Sequence, residues 1–259
     1  MNASALIKQS PLSLKDTLLV LEHVSGLDKN RIFLNQSNID FDNSVYEAFN
    51  KIVSKAKAGM PLQYALGKWW FFGHEFFVEP PVLIPRPETE IVVEKAIELV
   101  KDYQIGFEPF VGSGIISISL LKYYPNLTMV VSDVNKEACK LTQKNAKLHN
   151  VEDRIFIICS DISKAIKLDN IDFIVANPPY IPTKELQNLD ESVRLYEDLR
   201  ALDGKEDGLY FYRALKEVNI RPMVLEIGHD QGQAIKDIFK DAKIAFDYSS
   251  NPRVAIIRS

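Results

Sequence analysis

Asn177-Pro178-Pro179-Tyr180 follows directly on the apolar run Ile171-Asp172-Phe173-Ile174-Val175-Ala176, so a side-chain amide, two prolines and an aromatic stand where a buried parallel strand ends. Open α/β sheets bind ligands just outside the carboxyl ends of their strands. The prolines remove backbone donors and leave carbonyls free to accept. Asn177 Oδ1 and a proline carbonyl can each accept one N–H of a planar NH2 group while the Tyr180 ring packs on its flat face. Taken alone, the tetrapeptide is equally a turn after a strand, since Asn and Pro are ordinary turn formers.

Three earlier strand ends bear on the choice. Glu108-Pro109-Phe110-Val111-Gly112-Ser113-Gly114 lies between a strand and the helix expected from Ile115 to Tyr124, and its glycines let the backbone approach a ligand and turn sharply. The next strand ends at Asp133, where a carboxylate can accept the hydroxyls of a ribose. The third ends at Ser160-Asp161, where a carboxylate can accept from an exocyclic amine of adenine. Each acid singly reads as a helix cap, Asp133 for a helix beginning near Asn135 and Asp161 for a short helix from Ile162. Together the ends outline a nucleoside pocket beside a site that holds an amide.

These residues need a sheet to present them. From Glu88 onward strand and helix patterns alternate, which argues a parallel sheet covered on both faces. A helix is expected over Thr89–Lys101. Strands are expected over Gln104–Phe110, Leu127–Asp133, Arg154–Ser160, Ile171–Ala176 and Met223–Ile227, with an edge hairpin of Lys243–Asp247 and Arg253–Ile257. Upstream, Leu14–Val24, Lys29–Leu34 and Val45–Ala58 carry apolar residues at helical spacing, with Ser13 and Ser44 as candidate N-caps. Trp69–Val78 reads as a hairpin. Pro80, Pro81, Pro85 and Pro87, four of thirteen prolines, make 80–87 a stiff extended connection near a domain boundary.

The chain of 259 residues, 46% hydrophobic and 25% charged, is long enough for one large domain and a small one. A formal charge of -4 supplies no broad basic field, which disfavours nucleic acid as substrate. Cys139 and Cys159 form neither a CxxC pair nor a disulfide framework, so no metal or redox role is expected. Met1 to Pro11 lacks the apolar core of a signal peptide and no apolar stretch approaches membrane-spanning length; a cytoplasmic protein without membrane contact is expected.

Several stretches closely resemble the protein-(glutamine-N5) methyltransferase family that modifies bacterial peptide chain release factors. They are Leu83-Ile84-Pro85-Arg86-Pro87-Glu88-Thr89-Glu90, the Gly112-Ser113-Gly114 turn, Asp133 with Asn145-Ala146, Asn177-Pro178-Pro179-Tyr180-Ile181 and Glu206-Asp207-Gly208-Leu209. Pro61-Leu62-Gln63-Tyr64, Phe72-Gly73 and Glu226-Ile227-Gly228 with Gln231 fit as well. The tetrapeptide is shared with adenine- and guanine-methylating relatives; the Ile-Pro-Arg-Pro-Glu-Thr-Glu stretch after a small N-terminal domain is far more specific. The resemblance implies an α/β fold: a seven-stranded Rossmann-like class I methyltransferase domain, mostly parallel with an antiparallel edge hairpin, over 88–259. A helical substrate-recognition domain over 1–67 and a hairpin and Pro-rich linker over 68–87 would precede it.

The resemblance further implies S-adenosyl-L-methionine as methyl donor. The acceptor would be the glutamine of the Gly-Gly-Gln motif of class 1 release factors, whose methylation modulates translation termination. By position, Glu108, Pro109, Phe110, Val111, Gly112, Asp133 and Asn177 would contact the cofactor, with Asp161 and Ile162 on the adenine side. Asn177, Pro178, Pro179 and Tyr180 would hold the glutamine, Asn177, Pro178 and Tyr180 acting in catalysis. One departure matters: family members have glycine where this chain has Phe110, and a ring there would clash if the backbone adopts positive φ or lies against the cofactor. Asp198, where the family often has proline, falls in a loop. Arg86 and Glu88 read either as groups closing over the cofactor or as a domain-linking salt bridge. His74 and His229 read as structural. Two other readings stand beside the leading one. One is methylation of a base amine in DNA or RNA, against which 180–206 sets seven acidic residues and four basic ones. The other is a cofactor-poor relative that only binds partners, motivated by Phe110.

Overall fold

The computed structural model describes residues 2–100 and 102–258. Lys101, the expected end of a helix, lies outside them, as do Met1 and Ser259, the outer bounds of the expected domains. The chain divides into two compact units, Met1–Lys68 and Trp69–Ser259.

The first unit is helical: α1 (Ala3–Gln9), α2 (Leu14–Ser25), α3 (Lys29–Leu34), α4 (Asn43–Lys57) and α5 (Leu62–Leu66). Leu6, Val20, Leu21, Ile32 and Phe49 meet in its core. Ser13 Oγ accepts the Asp16 N–H at 3.1 Å and caps α2 as expected. At α4 the cap is Asp42, which accepts from Val45 N; the expected Ser44 only donates its hydroxyl to Asp42. Left-handed glycines, Gly26 (φ 70°) and Gly67 (φ 76°), end α2 and α5.

The second unit opens with a hairpin of β1 (Lys68–Phe71) and β2 (His74–Phe77), the first residue of β1 being the last of the helical unit. Then come α6 (Glu90–Leu99), β3 (Ile105–Pro109), α7 (Ile115–Tyr123), β4 (Thr128–Asp133), α8 (Lys136–Leu148), β5 (Ile155–Cys159) and β6 (Phe173–Ala176). The rest is α9 (Glu191–Tyr196), α10 (Tyr210–Val218), β7 (Met223–Glu226), α11 (Gly232–Ile238), β8 (Lys243–Phe246) and β9 (Pro252–Ile257). Among the described residues the strands form a seven-stranded sheet in the order β5-β4-β3-β6-β7-β9-β8. The first five in this order pair in parallel, and β9 runs antiparallel to β7 and to β8, the edge hairpin expected.

The period of two along the central strands builds both layers. Phe173 and Val175 of β6 enter one core with Val92, Ile116, Leu120 and Met129; Ile174 and Ala176 enter the other with Tyr212, Leu215, Ile235 and Phe239. Each of the Val, Leu, Ile, Phe and Met side chains among them, fully buried, contributes on the order of 1.5–3 kcal/mol. Because β3 is followed by β4 and β5 on one side and by β6 on the other, the chain reverses direction between β3 and β6. The carboxyl ends of these two strands flank the crevice where such sheets bind ligands.

Candidate active site

The turn after β3 is held by side chains from three directions. Glu108, 1% exposed, accepts the Ser117 N–H at 2.9 Å and the Ser117 hydroxyl, so it anchors the first turn of α7. Burial pushes its carboxyl up to about 8, against the pull of the Ser117 hydrogen bonds. Asp133 accepts from Gly112 N at 3.0 Å and Asn135 N at 2.8 Å; Asn135 itself caps α8. Burial raises Asp133 despite these hydrogen bonds. Gly114 turns into α7 at φ 82°, where a Cβ would meet Thr142 Cγ2 at 2.9 Å. Asn145 binds both the turn and the hairpin, donating to Ser113 O and Phe77 O and accepting from Phe77 N.

Beside this turn lies a cavity of about 320 Å³ lined by Phe110, Gly112, Asp133, Ser160, Asp161, Ile162, Asn177 and Pro179, together with Leu83, Asp198, Arg200 and Phe211. The sequence-predicted residues at the ends of β3, β4, β5 and β6 thus meet in one place. A narrow space of about 40 Å³ adjoins Glu108, Phe110, Val111, Gly112, Thr89, Leu83 and Asn177. A third pocket of about 200 Å³ is lined by Leu83, Arg86, Asn177, Tyr180, Val193 and Leu202. Pro109 and Pro178 are buried and line none of the three. Leu83 and Asn177 are common to all three, forming the partition between them.

Phe110 does take positive φ, 64°, and its ring sits edge-on to Phe211 at 5.0 Å between centroids. The ring forms part of the cavity wall. Ile162 is also left-handed, at φ 50°, its carbonyl accepting from Ser132 Oγ at 2.6 Å. Such strained residues gather where the surroundings over-determine them. The helix expected from Ile162 does not form. Asp161 is exposed and pairs with Lys164 at 2.5 Å rather than capping one.

On the acceptor side, Asn177 Nδ2 donates to Thr89 Oγ1 at 3.3 Å, and Thr89 Oγ1 donates to Glu226 Oε2 at 2.6 Å. Tyr180 OH donates to Glu226 Oε1 at 3.4 Å. Burial pushes the Glu226 carboxyl up to about 7, opposed by the Thr89 hydrogen bond and Arg253. The same burial, with Glu226 adjacent, raises the Tyr180 hydroxyl, so it stays protonated. Gln231 Nε2 donates to Tyr180 O and Gly208 O, fixing the loop from behind. Arg86 pairs with Glu197 at 2.7 Å, a link between two loops of the second unit. Asp198 does more than fill a loop: it accepts from Asn135 Nδ2 at 2.8 Å and from Arg200, and lines the large cavity. His74 packs edge-on to His149 and is held low by burial and Lys122, while His229 is exposed; neither reaches these cavities. Among the described residues no cluster of His, Cys, Asp or Glu could hold a metal, and no helix is long and apolar enough to cross a membrane.

Residues 110–194 match the methyltransferase small domain and residues 1–67 the PrmC N-terminal domain. The release factor glutamine methyltransferase of Aquifex aeolicus is 36% identical over 254 residues, covering 93% of this chain and 90% of that protein. The chain belongs to the release factor glutamine methyltransferase family. The Clostridium acetobutylicum member is 35% identical over 240 residues, 88% of this chain and 83% of its own. In fold, the human methyltransferase 10 domain containing protein superposes with a TM-score of 0.53 at 15% identity, over 73% of this chain and 89% of that one. The fold is therefore that of the class I methyltransferases, as the motifs imply. The family favours neither the base-amine reading nor the binding-only one. Thr89 and the Asp198–Arg200 pair escaped the sequence reading as site residues. Glu226 entered it only as part of a matching stretch, because its partners lie far off in the chain.

Proposed function

We propose that this enzyme transfers a methyl group from S-adenosyl-L-methionine to the side-chain amide N5 of the glutamine in the Gly-Gly-Gln motif of class 1 release factors. The observation that carries this is the partition of Leu83 and Asn177, which gives one side-chain amide access to both a nucleoside-sized cavity and a second pocket beside Tyr180. The cavity fits the donor: about 320 Å³ lies within the range of small-ligand sites, with the Asp133 carboxylate at one wall and Phe110 and Ile162 as apolar surface. Glu108, Pro109, Val111 and Gly112 shape the turn, Asp133 would take the ribose, and Asp161 with Ile162 the adenine side. When bound, the cofactor supplies an electrophilic methyl on a sulfonium.

An amide nitrogen is a poor nucleophile because its lone pair is delocalised, so orientation must do much of the work. Asn177 Oδ1 accepts one N–H of the glutamine, stabilising positive charge as it develops on nitrogen, whereas the expected second acceptor, the Pro178 carbonyl, belongs to a buried residue outside the three pockets. Tyr180, protonated and packed, excludes water and with Pro179 covers the flat face. None of these groups is assigned as general base, and the proton leaves to water after methylation. The helical unit is assigned to recognition of the release factor, in keeping with its match to the N-terminal domain of the family. The cytoplasm, where translation termination takes place, is the proposed compartment.

The test is incubation with labelled donor and a purified release factor, with nucleic acid as parallel acceptor, followed by mass-spectrometric mapping. Label on the glutamine amide is expected. Label on nucleic acid would restore the base-amine reading, and no label with no measurable donor affinity would restore the binding-only one.

A further inference from the structure

Two residues that the transfer scheme leaves out join its key side chains. Thr89, 1% exposed, sits in the 3-10 turn Pro87–Thr89 ahead of α6; Glu226, also 1% exposed, ends β7. A hydroxyl carries one proton. While Glu226 is a carboxylate, Thr89 gives it to Oε2 at 2.6 Å, so towards Asn177 the hydroxyl accepts, and the amide presents Nδ2 to it. Oδ1 of Asn177 is thereby turned away from Thr89. The other carboxylate oxygen, Oε1, takes the Tyr180 hydroxyl at 3.4 Å. One buried carboxylate thus holds both side chains assigned to the acceptor amide, one directly and one through Thr89. The strand carbonyl of Glu226 accepts the Tyr212 hydroxyl at 2.8 Å, which fixes the end of β7 in turn.

We propose that Glu226 and Thr89 are positioning residues of the transfer site, a relay that sets which end of the Asn177 amide faces the substrate. The proposal rests on the reading of Asn177 as the group that holds the acceptor amide. Without the relay the Asn177 amide can rotate, placing a donor against a donor for part of the time. Both orientations keep the packing, so the loss falls on turnover.

The experiment compares Thr89→Val, which keeps shape and removes the hydroxyl, with Thr89→Ser, which restores it, Glu226→Gln, and the Thr89→Val/Glu226→Gln pair. Turnover is measured at saturating release factor, together with donor affinity by calorimetry and thermal midpoint. Thr89→Val should lower kcat about 10- to 100-fold, the loss expected from a small misplacement of a reacting group, with donor affinity within about 3-fold. Thr89→Ser should recover most of the rate. The double variant should lose no more than the worse single one, because both cut the same chain. A Thr89→Val enzyme with wild-type kcat, a Thr89→Ser enzyme as slow as Thr89→Val, or fully multiplying losses in the double variant would each overturn the relay. Asn177→Ala serves as control: activity retained there removes the underlying reading, whereas activity lost there and kept in Thr89→Val removes the relay alone.

Discussion

Replacing Phe110 by glycine or by alanine should reverse the usual order of stability of those two residues. At an ordinary position glycine is the less stable by roughly 0.4–1 kcal/mol, because the unfolded chain gains freedom. Phe110, however, stands at φ 64°, a conformation that costs a residue with a Cβ about 1–2 kcal/mol and costs glycine nothing. The difference leaves Phe110→Gly ahead of Phe110→Ala by up to about 1.6 kcal/mol. Both should fall below the parent, since each loses the edge-on contact with Phe211, 5.0 Å between centroids, a pair worth about 0.5–1.5 kcal/mol beyond its buried area. Urea unfolding with equal slopes for the two variants reads the comparison directly. Alanine equal to or above glycine would refute the assignment of strain to this turn. On the same proteins, S-adenosyl-L-methionine should bind more tightly to Phe110→Gly than to the parent, as the ring no longer takes up cavity volume.

Asn177→Ala should abolish methyl transfer while leaving donor affinity nearly unchanged; undiminished turnover would take Asn177 out of the mechanism. Asp133→Ala should weaken donor binding by about 10- to 100-fold, the worth of hydrogen bonds to a charged group, and unchanged calorimetric affinity would count against the ribose role. Glu226→Gln should gain stability over the parent as pH rises. The carboxyl ionises at an ordinary 4.5 in the unfolded chain but at about 7 when folded, so between these values the folded chain holds more protons and parental stability falls with pH. From pH 5 to pH 8 the gap should widen in favour of the variant by between about 2 and 3 kcal/mol in denaturant unfolding, the Glu108 contribution being common to both; a gap independent of pH would contradict the raised titration of this buried carboxyl.

Much of the fold could be read from the chain because β6, Phe173–Ala176, is a continuous apolar run. Ile174 and Ala176 face one layer, Phe173 and Val175 the other, so neither face needs polar alternation and the parallel assignment follows. Helix α5, with five residues, was too short for periodicity to show. Asp42 displaced Ser44 as cap because either residue type serves, and only geometry chooses. At the site, legibility tracked sequence distance. The strand-end residues are local motifs and appear as such. The bond from Thr89 to Glu226 spans 137 residues and that from Asn177 to Thr89 spans 88, so nothing short of the folded chain reveals them. The helix expected after Asp161 failed for a local reason: Ile162 adopts φ 50°, which ends any helical turn there.

Leu83, Asn177 and Ala201 line both the large cavity and the pocket beside Tyr180. A fragment seated in either chamber leaves its neighbour vacant, so weak binders found separately are natural candidates for tethering. A short linker would make the second docking intramolecular, at an effective concentration in the millimolar range, and affinity would grow without any new contact. Two chambers that share side chains are what makes such a joined inhibitor geometrically economical.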